Sequence, residues 1–276
     1  MSLFIKNDIF EHVMEQLYYK NEKLCLGYFL YEIAHHCNIN CAGCDHCAPL
    51  AKEEFADFEI FKKDIKRMSE IFFHIDLIGI MGGEPLLNKD VPKILDYTRK
   101  IFPSSNIVLF TNGSLLLSQQ KAFWENLNRN NIVVAVTVYK LKIDYKKIKE
   151  TAERFNVKID FKPNFDFCKA PFNLSGTEDN RDKIKDCFQG NHCATLENGK
   201  LFRCSVAPSS RHFNDYFKTD LKLSENDYLD IHQNSVNSQQ IAEYFSQPLP
   251  FCRYCNLNKR ENISWKHSER KIEEWT

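Results

Sequence analysis

Residues 25 to 165 predict an α/β fold built on a parallel sheet, and two observations predict it. Short apolar, β-rich runs alternate with longer amphipathic ones, at the spacing of repeated βα units. The apolar runs are followed by glycine, cysteine or hydroxyl residues, as at the ligand-binding edge of such a sheet.

Taken in order, an amphipathic stretch at 8–19, with Ile9, Phe10, Val13 and Leu17 at helical spacing, predicts a helix outside the first strand. Strands are expected at Tyr28–Ala34, Ile75–Met81, Asn106–Phe110, Ile132–Tyr139 and Val157–Lys162, with helices between them at about 56–73, 89–102, 116–129 and 144–155. Near residue 165 the text turns loop-rich (PNFDFCKAPFNLSGTEDN), which gives three expected parts: a helical extension at 1–24, a core at 25–182, and a cysteine-rich module with a tail at 183–276. Within that module Thr195–Cys204 reads as a hairpin, Asn198-Gly199 being a type I′ turn signal.

Composition narrows the function. Lys+Arg and Asp+Glu both total 37 in 276 residues, which argues against a phosphate-tracking nucleic-acid binder. The first residues are interrupted by charges and carry no signal-peptide core, and no stretch is apolar enough to span a bilayer; the expectation is a cytoplasmic protein without a membrane partner. In a reducing compartment the 11 cysteines read as metal ligands rather than disulfide partners.

After the first strand comes HHCNINCAGCDHCAPLA, with Cys37-x3-Cys41-x2-Cys44 and then Cys47. Asn38, Asn40, Gly43 and Asp45 are poor company for a core helix, so a loop wrapped around a metal is expected; zinc and an iron–sulfur cluster both fit thiol ligands. Three thiolates on a four-iron cluster would leave one iron open. After the second strand stands Gly82-Gly83-Glu84-Pro85, where the glycines permit close backbone approach and Glu84 could neutralise an ammonium. The third strand leads into Thr111-Asn112-Gly113, and the fourth ends in Thr137-Val138-Tyr139.

CxxxCxxC, GGEP and TNG at three successive strand ends resemble the radical S-adenosylmethionine (SAM) superfamily over about residues 25 to 165. The resemblance implies a partial (β/α)6 parallel barrel in which Cys37, Cys41 and Cys44 hold a [4Fe–4S] cluster whose open iron chelates SAM. It further implies that Gly82, Gly83 and Glu84 contact the methionine amino group and that Thr111, Asn112 and Thr137 help bind the cosubstrate. Gly43 replaces the aromatic residue usual before the third cysteine, so that His46 or another loop would meet the adenine. Cys47 lies outside the triad and reads as a small apolar residue.

Downstream, Cys187, Cys193, Cys204, Cys252 and Cys255, on a hairpin followed by a CxxC, resemble the twitch/SPASM-like module of such enzymes, which holds an auxiliary [4Fe–4S] cluster. Cys204, Cys252 and Cys255 would be ligands, with Cys187 or Cys193 as the fourth; the spacing favours Cys187. A zinc ribbon is the competing reading. Cys25 and Cys168 are expected in the core, His35-His36 as polar filling, Trp265 and Trp275 over a sheet, and Tyr139 and Lys162 at the cleft. The resemblance implies a radical oxidoreductase acting on a small polar substrate such as a sugar or aminocyclitol alcohol, served by an electron donor such as flavodoxin or ferredoxin. Peptide modification (thioether formation or epimerisation) and a non-catalytic zinc-binding module are the alternatives.

Overall fold

A computed structural model describes residues 16–163, 166–169, 171–180, 187–233 and 236–276. The expected helix at 8–19 falls mostly outside them. Its described end is instead a strand, β1 (Leu17–Lys20), which turns back through Asn21 and Glu22, both at positive φ, into β2 (Lys23–Ala34). Pairing with β2 overrides the helical spacing of Leu17, and it explains why β2 starts before the expected Tyr28.

Four βα units follow as the sequence predicts: α1 (Phe58–Ile71), β3 (His74–Gly82), α2 (Val91–Ile101), β4 (Asn106–Thr111), α3 (Lys121–Arg129), β5 (Ile132–Val138), α4 (Tyr145–Arg154) and β6 (Ile159–Pro163). Asp57 caps α1 by accepting from the amides of Glu59 and Ile60, and Asp144 caps α4 through Lys147 N. α3 starts later than expected because a separate 3-10 turn occupies Leu116–Ser118. Further on come β7 (Asp166–Lys169), α5 (Phe188–His192), β8 (Thr195–Glu197), β9 (Lys200–Phe202), α6 (Val206–Phe217), β10 (Tyr228–Asp230), α7 (Ser238–Ser246) and β11 (Glu261–Ser264).

One nine-stranded sheet runs in the order β10-β9-β8-β2-β3-β4-β5-β6, with β1 beside β2. Strands β2 to β6 are parallel, and β8 is parallel to β2. The hairpin β8–β9, with Asn198 at φ 48° and Gly199 at φ 76°, therefore continues the main sheet instead of standing apart beyond residue 183. Asp64 of α1 fixes it there by accepting from Gly199 N at 3.0 Å and from the Tyr31 hydroxyl at 2.9 Å.

Along β2 every residue after Lys23 is buried, as in a parallel strand covered on both faces. On one face Phe61, Ile65 and Met68 of α1, Trp124 and Leu127 of α3, and Ile148 of α4 pack onto Ile33, Ile78, Leu109 and Val134. The other face carries Tyr28, Leu30, Leu77, Val108 and Ala135. Gly79 lies among them, where a Cβ would meet Leu30 Cδ2 at 2.7 Å, so this face is filled at mid-strand and a ligand has to sit above it, at the carboxyl ends.

Candidate metal and cofactor centre

The cysteine loop leaves β2 at His35 and is folded back by left-handed residues at Asn40, Gly43 and Cys47. Two backbone hydrogen bonds attach its start to the end of β3: Gly83 N donates to Ala34 O at 2.7 Å and Glu84 N to His36 O at 3.1 Å. The approach is so close that a Cβ would stand 2.0 Å from Ala34 O at Gly82, and 2.2 Å from His36 O at Gly83. These glycines serve a close approach, as expected, but it is the cysteine loop that approaches, and the Gly83 amide is spent on it.

Glu84 departs from the sequence reading in the same direction. Its carboxylate is fully buried and accepts from Thr111 Oγ1 at 2.7 Å, Asn112 N at 2.8 Å and Leu86 N at 3.0 Å. Burial pushes its carboxyl up to about 7 against those donors. Both oxygens accept from the ends of β3 and β4, so the side chain braces the site. Asn112 carries the bracing onward: its Nδ2 donates to Asn38 Oδ1 at 2.8 Å and lies 3.7 Å from Cys37 Sγ, while Asn38 Nδ2 donates to Ser114 Oγ at 2.9 Å.

Cys37, Cys41 and Cys44 are gathered by this loop. Burial raises all three thiols, Cys41 to about 11, and the neighbouring thiols raise Cys41 and Cys44 further. Burial and proximity both work against thiolates here, and a bound metal cluster would offset them. Trp265 Nε1 donates to Cys41 Sγ at 3.1 Å, and Tyr139, whose ring lies 5.9 Å from Trp265, also hydrogen-bonds Cys41. The donor set therefore fits a thiolate-held cluster, with hydrogen bonds to sulfur already in place.

The tail was expected over a sheet, but it covers this loop. Cys41 bridges His267, Ala42 N donates to Lys266 O, and Trp275 Nε1 donates to Cys44 O at 3.0 Å. His46, expected at the adenine, is held elsewhere: its Nδ1 lies 2.6 Å from Glu32 Oε1. Burial alone would raise the Glu32 carboxyl, yet His46 and His35 hold it well below the usual carboxylate range. His35 is thus part of a buried ionic layer that continues to Glu197 at 3.5 Å, and Glu197 in turn pairs with Arg211. Cys47 is fully buried beside Leu50 and Phe213, as a small apolar residue would be. Cys25 is buried in the core, and the side chain of Cys168 lies outside the described residues. Thr137 and Lys162 are register partners at the ends of β5 and β6, both half-buried at the cleft.

Of the second set, Cys187, Cys204, Cys252 and Cys255 line one cavity together with Arg203 and Arg260. Cys187 caps α5, Cys204 follows β9, Cys252 lies within a 3-10 turn (Pro250–Tyr254) and Cys255 ends it, and the carbonyls of both accept from Asn180 Nδ2. Cys193 is not among the residues that line that cavity; it packs against the sheet face that carries Tyr28, Leu30 and Leu77, and it is still close enough to Cys187 and Cys204 to feel their charge. Among the described residues no three His, Cys, Asp or Glu side chains converge on a single-ion position, in either cysteine set. Sequence reasoning missed Arg203 and Arg260, although each stands within a few residues of a cysteine.

The family model for a 4Fe-4S single cluster domain matches residues 26–160. A GTP 3',8-cyclase of Staphylococcus carnosus is 33% identical over 111 residues, 36% of this chain and 31% of the relative. A probable GTP 3',8-cyclase of Methanocella arvoryzae is 30% identical over 103 residues, again 36% and 31%. The chain thus spans about a third of the length of these curated relatives. In fold it is similar to the crystal structure of BtrN in complex with AdoMet and 2-DOIA, with a TM-score of 0.56 at 17% identity, over 83% of this chain and 92% of that one. The matches support a radical SAM core whose cofactors are a [4Fe–4S] cluster and SAM. No described helix is long and apolar enough to cross a membrane.

Proposed function

We propose that the chain is a radical SAM oxidoreductase that acts on a small polar substrate, such as a sugar or aminocyclitol alcohol. In this reading Cys37, Cys41 and Cys44 hold the SAM-binding cluster, and Cys187, Cys204, Cys252 and Cys255 hold a second one. When bound, these groups supply an electron that cleaves SAM to methionine and a 5′-deoxyadenosyl radical, removal of a hydrogen atom from the substrate by that radical, and a closed acceptor for the electron released as a carbonyl forms.

The chain's own residues prepare the site. Gly82 and Gly83 let the cysteine loop rest on β3, and Glu84 ties the ends of β3 and β4 together. Asn112 steadies Cys37, while Trp265 and Trp275 cover the loop through hydrogen bonds to Cys41 Sγ and Cys44 O. Thr137, Tyr139 and Lys162 offer polar contacts to a hydroxylated substrate at the rim.

The observation that carries the reading is the interlock of Cys37, Glu84, Thr111 and Asn112, which gives three separate strand ends one joint purpose. For the second site, support comes from a cavity lined by four thiols and two cationic side chains, with no three of the described ligand-type side chains converging on a single-ion position. For the substrate, the similarity in fold to BtrN, whose complex contains 2-DOIA, supports a small polar ligand. The test is anaerobic incubation with dithionite and SAM: 5′-deoxyadenosine should form, and a reconstituted protein that forms none overturns the reading.

A further inference from the structure

Between the two cysteine sets runs one continuous chain of polar contacts. Arg260 Nη2 donates to Cys187 Sγ at 3.4 Å and to Gln189 Oε1 at 3.3 Å. Gln189 Nε2 in turn donates to Asp45 Oδ2 at 3.0 Å, and Asp45 is bonded in sequence to Cys44. The amide orientation of Gln189 is the one both neighbours demand, oxygen toward the guanidinium and nitrogen toward the carboxylate. Asp45, Gln189 and Arg260 are each partly buried.

We propose that Arg260 and Gln189 are positioning residues that set the reduction potentials of both cysteine-held centres together. The proposal rests on the second site holding an iron–sulfur cluster. Hydrogen bonds to sulfur and nearby charge are the protein's means of tuning such a centre, and a partly buried guanidinium that donates to a sulfur acts on both counts. Arg203 also lies among the second set of thiols, but its three nitrogens donate to Gly190 O, Gln247 O and Asn191 Oδ1, which anchors it within its own module. Arg260 is the arginine whose contacts lead out of that module to the first loop.

An EPR-monitored redox titration of the anaerobic full chain reads this directly, independent of turnover. Arg260→Gln removes a positive charge and a donor to sulfur, so both midpoint potentials should become more negative, the second site's by more. Arg260→Lys should recover most of the shift at the second site. Gln189→Leu leaves the Arg260 contact to Cys187 intact and cuts the link to Asp45, so it should move the first potential alone. If Arg260→Gln, with its iron content unchanged, leaves both potentials where they were or moves only the second, the coupling is overturned. A wild-type protein with about four irons and one zinc per chain would instead sink the two-cluster reading on which the proposal rests.

Discussion

At the mouth of the sheet, Cys37, Cys41 and Cys44 lie on one short loop and are gripped from outside, by Asn112, Trp265 and Tyr139. Cys187, Cys204, Cys252 and Cys255 come from separate elements and ring a cavity with two arginines at its wall. A loop of three thiols leaves a side open toward the cleft, whereas four thiols around a cavity close it. On the proposed reading one chain would keep a reactive centre and a protected one: the first set of thiols depends on strand ends that are tied together, the second on segments distant in sequence.

The sharpest way to break this comparison is to remove one thiol from each set. Cys37→Ala is expected to reduce SAM cleavage to background, while Cys252→Ala is expected to spare SAM cleavage and stop substrate turnover; quantifying 5′-deoxyadenosine in both variants checks it. If both abolish cleavage equally, the two sets are not functionally distinct.

A smaller effect separates ligand from brace. Asn112→Leu keeps all three thiols but takes away the donor near Cys37 and the link to Asn38, and should weaken cluster retention or SAM cleavage by about 10- to 100-fold. Gly83→Ala probes the same joint sterically. Its Cβ would meet His36 O at 2.2 Å, so it should cost about 1–3 kcal/mol in denaturant unfolding and deplete iron at the first site before the second.

The smallest expected effect concerns the ionic layer beneath the first loop. Burial and the nearby Arg211 depress the His212 imidazole from 6.5 to about 3. The unfolded chain takes up that proton near pH 6.5 and the folded chain only near 3, so the contribution of His212 is fully present above pH 6.5 and is lost as pH falls toward 3. His212→Gln should flatten the pH dependence of thermal unfolding across that window; an unchanged slope contradicts the assignment.

The first region was largely legible in the sequence, since its ligands are close neighbours and its strands carry strong apolar runs: β4 begins at Asn106 and β5 at Ile132, as expected. What the sequence left hidden is long-range. That Glu84 also ties Thr111 and Asn112 to the end of β3 is not written in GGEP. Nothing local says that Trp265 reaches back 224 positions to Cys41. Leu17 fits a helical stripe equally well until β2 offers it a ladder. In the second region spacing favours Cys187 over Cys193, and the cavity lined by Cys187, Cys204, Cys252 and Cys255 supports that proposal.

Metal and sulfide counting on anaerobically isolated protein tests the central claim most directly, because it counts the centres before any reaction is assumed. Two thiolate-held [4Fe–4S] sites predict about eight irons per chain in the wild type and about four in each of Cys37→Ala and Cys252→Ala. A wild type carrying zinc at the second set, or a Cys252→Ala protein that still holds about eight irons, would contradict it.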